Sequence, residues 1–165
     1  GFKPPADGKY PEGEDSEGNH PIGNVSYYDL QAFAKWATPG GHVPTQQEWE
    51  KVARGTEGQA FPWGNDFDPS KINHDSGGLV SVYEMEKRGN VSPFGVVDMV
   101  GNSLEWVDDS TPARPGSTML KGGAYSNATG NLKVQSTTRF TTDVPTVGYQ
   151  GFGGRIAAPV AIPEG

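Results

Sequence analysis

The clearest hydrophobic pattern in the chain starts just after Ser26 and predicts a first helix. Its apolar positions follow the i, i+3, i+4, i+7 spacing of one helix face, and they are Leu30, Phe33, Ala34 and Ala37. Ser26 suits the N-cap and Asp29 the first turn. The run Pro39-Gly40-Gly41 ends the helix.

A second helix is predicted from a capping box at Thr45-Gln-Gln-Glu48, in which the Thr hydroxyl and the Glu carboxylate satisfy each other's backbone N–H groups. The buried face of this helix consists of Trp49, Val52 and Ala53. Gly55 suits the C′ position.

No helical period continues after Gly55. The remaining apolar pieces are short and separated by Gly, Asn, Asp and Pro, which predicts short strands and structured loops. These pieces are Val80-Ser-Val-Tyr83, Phe94-Gly-Val-Val97, Met119-Leu120 and Gly151-Phe152. Two early helices followed by a β-and-loop region predict an α+β domain. We expect it to span residues 21–165, after a polar arm or linker at residues 1–20.

Composition at first competes with this interpretation. The 165 residues include 24 Gly and 14 Pro, and only 33% are hydrophobic, which is compatible with disorder. However, four Trp, six Tyr and seven Phe are spread along the chain, and aromatic side chains bury large areas. An ordered, loop-rich domain is therefore expected, with the tryptophans in its core: Trp36, Trp49, Trp63 and Trp106.

Charge and cysteine content exclude several function classes. The net charge of −7 argues against a nucleic-acid partner, because phosphate contacts need a basic face. The absence of cysteine removes disulfides, thiolate zinc sites and cysteine nucleophiles. No apolar run approaches the roughly 20 residues of a membrane span. The three histidines lack metal-ligand spacing.

Six motifs, in this order, resemble the formylglycine-generating-enzyme (sulfatase-modifying-factor) domain family. They are Pro21-Ile-Gly-Asn-Val-Ser-Tyr-Tyr-Asp29, Val43-Pro-Thr-Gln-Gln-Glu-Trp-Glu-Lys-Val-Ala-Arg-Gly55, Phe61-Pro-Trp-Gly64, Asn90-Val-Ser-Pro-Phe-Gly-Val-Val-Asp-Met-Val-Gly-Asn-Ser-Leu-Glu-Trp106, Leu120-Lys-Gly-Gly-Ala-Tyr125 and Gly151-Phe152. The resemblance runs from about Pro21 to Ala158. It implies a C-type-lectin-like fold, with two helices beside small antiparallel sheets and much irregular loop.

The resemblance also implies a calcium site. In family members an Asn/Asp-x-x-Gly-x-small-x-Glu run holds calcium, and hard cations need six to eight oxygens. Carried over by position, Asp98 and Glu105 give carboxylates, while Gly101 and Ser103 give carbonyls. The alternative is that both carboxylates cap and hydrogen-bond a turn packed beneath Trp106.

A second calcium site of the family matches Asn73 and His74, with Asp75 adjacent. The downstream acid of that site has no clear counterpart, since residues 79–87 depart from the family sequence. A solvated loop is the alternative.

The family's copper(I) chemistry is not expected. Formylglycine-generating enzymes hold copper(I) with two cysteines after the motif that is Gly122-Gly-Ala-Tyr125 here, and soft thiolates select that ion. The corresponding positions fall near Asn127 and Leu132. The iron-dependent relatives take histidine ligands from a separate domain.

The segment from Tyr125 to Gln150 is rich in Ser, Thr, Asn and Tyr, the composition of recognition loops. In the family it lines the active-site groove, and in the variable proteins of diversity-generating retroelements it carries the diversified residues. The candidate ligand-binding residues are Tyr125, Asn127, Arg139, Tyr149 and Phe152. Arg139 could pair an anionic group bidentately, or form a structural ion pair with Asp143 or Glu105.

These observations predict a non-catalytic, calcium-stabilised domain that binds a protein or glycan through residues 124–150. A receptor-binding role suits a scaffold that tolerates loop change, so an extracellular, cell-surface or virion location is expected. The alternatives are an oxidoreductase relative completed by another chain, and a structural module of a larger assembly. A second chain or an oligomer could cover exposed sheet edges.

Overall fold

A computed structural model describes residues 17–110, 115–126, 146, 148 and 151–159. The helices are α1 (Tyr27–Ala37), α2 (Gln46–Arg54) and α3 (Val82–Lys87), and the strands are β1 (Leu104–Asp108), β2 (Thr118–Lys121) and β3 (Phe152–Gly153). Short 3-10 helices span Glu17–Asn19 and Pro69–Lys71. The predicted α+β class is confirmed, and the described residues form three α-helices where two were expected.

Both predicted helices begin at the predicted caps. The Ser26 Oγ accepts from the Asp29 N–H at 3.1 Å, and the Thr45 Oγ1 accepts from the Glu48 N–H at 3.2 Å. In each case the acid accepts from the N-cap backbone, which completes a capping box. The chain then turns so tightly after α1 that a Cβ on Gly41 would clash with the carbonyl oxygen of Ala34.

The prediction of strands or loops after Gly55 was wrong at one place. Val80-Ser-Val-Tyr83 leads into α3, whose N-cap is Ser81. The helix buries only Met85 and has six residues, so its apolar pattern is too short to show a period. Phe94-Gly-Val-Val97 forms a turn that closes with a single bridge between Val91 and Val97.

The strands form one mixed sheet, in the order β2-β1-β3. β1 and β2 are antiparallel, as expected, with Trp106 opposite Leu120. β1 and β3 are parallel, with Leu104 opposite Phe152, so the expectation of antiparallel sheets alone was wrong. Parallel neighbours need a long connection, and a sequence pattern does not reveal which distant segments such a connection joins.

The sheet separates two hydrophobic clusters. The α1-side core consists of Tyr27, Leu30, Val43, Leu104, Trp106, Leu120 and Ala124. The α2-side core consists of Trp49, Ala53, Phe61, Ile72, Met99, Val100, Val107 and Met119. Successive strand residues point to opposite faces, so Trp106 and Val107 belong to different cores.

The expectation that all four tryptophans are buried holds for Trp49 and Trp106, which are 1% and 0% exposed. Trp63 is half-buried and stacks on Phe61 at 5.3 Å. Trp36 is 68% exposed, which corrects the prediction for that residue. Trp36 follows the buried Ala34 by two positions, about 200° around the helix, which places it on the opposite face of α1.

Two buried charges lie between α2 and the sheet. Glu105 and Lys121 are register partners on β1 and β2, so their side chains share a face. Lys121 is fully buried, and its Nζ donates to the Glu50 Oε1 of α2 at 2.6 Å. None of the helices in the described part of the chain is both long and apolar enough to cross a membrane.

Candidate functional site

The turn at residues 98–105 links the sheet to the 73–80 loop. Asp98, Gly101 and Asn102 all have positive φ angles, of 64°, 82° and 60°. A second reason requires glycine at position 101. A Cβ there would lie 2.5 Å from the Ile72 side chain and 2.8 Å from the Asn73 carbonyl oxygen. The glycine therefore allows the turn and the loop to touch.

Asn102 joins the 98–105 turn to the 73–80 loop, and it is not among the predicted site residues. Its Nδ2 donates to the Asp98 Oδ2 at 2.7 Å and to the Val80 carbonyl at 3.0 Å. Its Oδ1 accepts from the Asn73 Nδ2 at 2.9 Å and from the Val80 N–H at 3.0 Å. Asn102 is fully buried, so its amide acts as a satisfied structural hub. An Asn directly after a glycine in a turn motif was the available sequence signal.

Asp98 has one satisfied and one unsatisfied carboxylate oxygen. Its Oδ1 is buried and has no hydrogen-bond partner among the described residues. Burial, assisted by the nearby Glu105 charge, raises the pKa of Asp98 to about 7, although the Asn102 hydrogen bond opposes this shift. An unpartnered buried oxygen is a feature that a cation could satisfy.

Glu105 differs, because its carboxylate already has three donors. Its Oε2 accepts from the Trp49 Nε1 at 2.6 Å and from the Arg155 Nε at 2.7 Å. Its Oε1 accepts from the Arg155 Nη2 at 2.5 Å. Burial opposes the charge of Arg155, but attraction and hydrogen bonding to Glu105 outweigh it and raise the pKa of the guanidinium. Arg155 is not among the predicted site residues, because it lies fifty positions from its partner Glu105.

Of the predicted calcium ligands, Glu105 as arranged is already engaged by other groups. A calcium ion needs six to eight oxygens, and Glu105, one of the two carboxylates, is engaged by Arg155 and Trp49. The Ser103 hydroxyl, which is not one of the predicted ligands, shares its proton between the carbonyls of Leu104 and Gly151 at 3.3 and 3.2 Å. Calcium at this turn stays a prediction, favoured by Asp98 and disfavoured by Arg155.

The second predicted metal site is a hydrogen-bonded loop in the structure. The Asn73 Nδ2 donates to Gly78 and Asn102, and its Oδ1 accepts from the Ser76 Oγ at 2.8 Å. His74 is half-buried, with a buried Nδ1 that lacks a partner among the described residues. Within the described ranges no three His, Asp or Glu side chains come together in a way that could hold a metal. Calcium at Asn73 and His74 stays a prediction.

Of the five candidate ligand-binding residues, Tyr125 and Phe152 lie in the described part of the chain. Tyr125 is half-buried, and its ring lies beside Gly151. Phe152 is half-buried in β3 and packs edge-on against Trp106 at 5.9 Å, so part of its ring belongs to the core. The remaining candidates, Asn127, Arg139 and Tyr149, lie outside the described residues.

Tyr125 is held by its backbone between the two predicted metal segments. Its N–H donates to the Asn102 carbonyl at 2.8 Å, and its carbonyl accepts from the Ser76 N–H at 2.9 Å. The start of the candidate binding segment is therefore fixed to both the 98–105 turn and the 73–80 loop.

Comparisons with known proteins identify relatives of this fold. The profile of the Sulfatase-modifying factor enzyme 1-like domain matches residues 3–157. The Inactive C-alpha-formylglycine-generating enzyme 2 of Mus musculus is 30% identical over 162 residues, covering 87% of this chain and 51% of that protein. The Formylglycine-generating enzyme of Thermomonospora curvata is 36% identical over 122 residues, covering 61% of this chain and 38% of the enzyme. The chain thus spans about half the length, or less, of these curated relatives.

Among solved structures, Treponema denticola variable protein 1 aligns with a TM-score of 0.72. The alignment covers 95% of this chain and 77% of that protein, at 18% identity. At this identity the likeness concerns the fold alone.

Proposed function

Since the chain belongs to the Sulfatase-modifying factor enzyme 1-like domain family, we propose that it is a non-catalytic member that binds a protein or glycan. The binding surface in this proposal consists of residues 124–150. Binding loops on a rigid scaffold are a common arrangement, because the scaffold fixes their ends while their residues vary.

The anchoring of Tyr125 is the observation that carries the proposal. Two backbone hydrogen bonds, of 2.8 and 2.9 Å, hold this residue where β2 gives way to the Ser-, Thr- and Asn-rich segment. Its side chain is half-buried, and the ring lies beside Gly151. A tyrosine fixed in this way contributes contact area at low entropic cost.

The non-catalytic part of the proposal is supported by composition. The chain has no cysteine, so it lacks the thiolates that would select copper(I). The mouse relative that aligns with 87% of the chain is itself named as inactive.

A further part of the proposal is a cation at the turn formed by residues 98–105, next to the start of the 124–150 surface. The resemblance implies calcium for that role, whereas Arg155 holds the Glu105 carboxylate in the structure. A calcium titration distinguishes a bound calcium ion from the Arg155 guanidinium as the cation at this turn, because only an ion that binds raises the melting temperature when it is added.

Glycan and receptor-protein arrays test the binding function. The labelled chain is compared with Tyr125→Ala, Arg139→Ala and Tyr149→Ala. We expect at least one array ligand to bind these variants about fivefold or more weakly than the wild type, since truncated interface anchors cost more than about 1 kcal/mol. Tyr28→Ala is the matched control, because Tyr28 is a 51% exposed tyrosine on α1.

Three results would contradict the proposal. Equal loss of binding in Tyr28→Ala would place the ligand elsewhere, and absence of any ligand would favour a structural module. Turnover of a cysteine-containing peptide in the presence of copper(I) would favour an oxidoreductase.

A further inference from the structure

The carboxylate of Glu105 is the calcium ligand that the resemblance assigns to the last residue of the 98–105 turn. In the structure this residue is 7% exposed, and three N–H groups approach its two oxygens at 2.5 to 2.7 Å. Two of these donors belong to one guanidinium, in the bidentate geometry that makes Arg–carboxylate pairs strong. The Glu105 carboxylate is therefore already paired with a cation, the Arg155 guanidinium.

Arg155 also reaches the first residues of the same turn. Its Nη2 donates to the Asp98 carbonyl at 3.1 Å and approaches the Val97 carbonyl at 3.4 Å. One positive group thus joins oxygens from the beginning and the end of the turn. Connecting such oxygens is what a calcium ion does in a loop of this kind.

The fold places Arg155 with little freedom. β3 is fixed by its parallel pairing with β1, in which Glu105 is opposite Gly153. Gly153 and Gly154 then allow close approach, because a Cβ on either would clash with the Ile22 carbonyl oxygen or the Leu30 side chain. Two residues after Arg155, Ala157 exchanges hydrogen bonds of 2.9 Å with His42 in both directions. The guanidinium is therefore held from both sides along the chain.

We infer that the guanidinium of Arg155 takes the place of calcium at residues 98–105, so that an internal cation holds this turn. A calcium ion bound to the Glu105 carboxylate would stand a few ångströms from the Arg155 guanidinium, and the repulsion between the two cations would oppose its binding. Without Glu105, the predicted ligand set consists of the unpartnered Oδ1 of Asp98 and the main-chain carbonyls of Gly101 and Ser103, which is fewer than the six to eight oxygens that calcium requires. The turn keeps its shape without a metal, whether or not the 124–150 surface binds a ligand.

Thermal unfolding with and without calcium tests this inference. The wild-type chain is dialysed against EDTA and then measured with EDTA or with about 1 mM calcium, the range in which extracellular calcium modules bind. The expected melting temperatures are equal, and calorimetric titration with calcium gives no binding heat. A rise in the wild-type melting temperature with calcium would overturn the inference.

Variants of the arginine give the second measurement. Arg155→Gln should melt several degrees lower than the wild type in EDTA, because it leaves the buried Glu105 charge unpaired. Lys35→Gln is the control, since Lys35 is an exposed cation in the last turn of α1 and its loss should change the melting temperature little. A calcium-dependent rise confined to Arg155→Gln would support the replacement directly. An Arg155→Gln variant as stable as Lys35→Gln would contradict it, and the wild-type titration decides the question if Arg155→Gln does not fold.

Discussion

At the level of single residues, Tyr27 shows how burial alters an ionisable group in this fold. It opens α1, is 6% exposed and packs edge-on against Trp106 at 6.3 Å. Burial, followed by the charge and hydrogen bond of Asp108, raises the pKa of Tyr27 from 10.0 to about 12. The neutral phenol is therefore favoured in the folded state.

This shift predicts a loss of stability in alkali. Between pH 10 and about 12 the unfolded chain loses the Tyr27 proton before the folded chain does, so the free energy of unfolding falls as the pH rises. The fall is at most about 1.4 kcal/mol per pH unit. Urea unfolding of Tyr27→Phe across this range should show a shallower decline than the wild type. Tyr28→Phe, the exposed neighbour on α1, should follow the wild type, and an equal slope in both variants would contradict the assignment.

The residues that sequence analysis could and could not find differ in one physical respect. Asp98, Gly101 and Glu105 belong to one local motif, and the structure places them in one turn. Arg155 and Trp49 contact Glu105 from positions about fifty residues away on either side. A pattern within a window contains no information about such partners, so their identity required the folded chain.

At the level of elements, local chemistry determined what could be predicted. Both capping boxes were visible in the sequence, since all of their hydrogen bonds join residues three positions apart. α3 has only six residues and one buried side chain, so tertiary contacts rather than its pattern specify it. β3 has two residues, and its parallel pairing with β1 depends on a partner that lies in a distant part of the chain.

The capping box of α2 predicts a measurable contribution to stability. Thr45→Ala removes the hydroxyl that accepts from the Glu48 N–H at 3.2 Å. Loss of such a cap costs about 1 kcal/mol, and here it loosens the helix that delivers Trp49 to Glu105. Urea unfolding should therefore show a lower midpoint with an unchanged slope. Thr56→Ala, at an exposed threonine in the turn after α2, is the control. Equal midpoints for the two variants would show that the box does not stabilise α2.

At the level of the whole molecule, the sheet of β1, β2 and β3 packs against a hydrophobic core on each of its faces. Trp106 and Leu120 contribute to the α1-side core, and Val107 and Met119 contribute to the α2-side core. The polar contacts of Glu105 and Lys121 lie between the sheet and α2. Because both cores share the backbone hydrogen bonds of β1 and β2, neither can lose its packing without disturbing the sheet on which the other rests.

This sharing predicts a single unfolding transition that either core can shift. Met119 and Leu120 are adjacent on β2, 2% and 0% exposed, and point to opposite sides, which makes them matched probes. Met119→Ala and Leu120→Ala should each lower the free energy of unfolding by about 2 to 5 kcal/mol. In both variants, helix content by circular dichroism and tryptophan fluorescence should change together, because Trp49 and Trp106 report on different cores. If Leu120→Ala shifted only part of the fluorescence change and left a second transition in place, the two cores would be independent units. Coincident curves in both variants would mean that the sheet couples the α2 side, with its Glu105 network, to the α1 side as one cooperative structure.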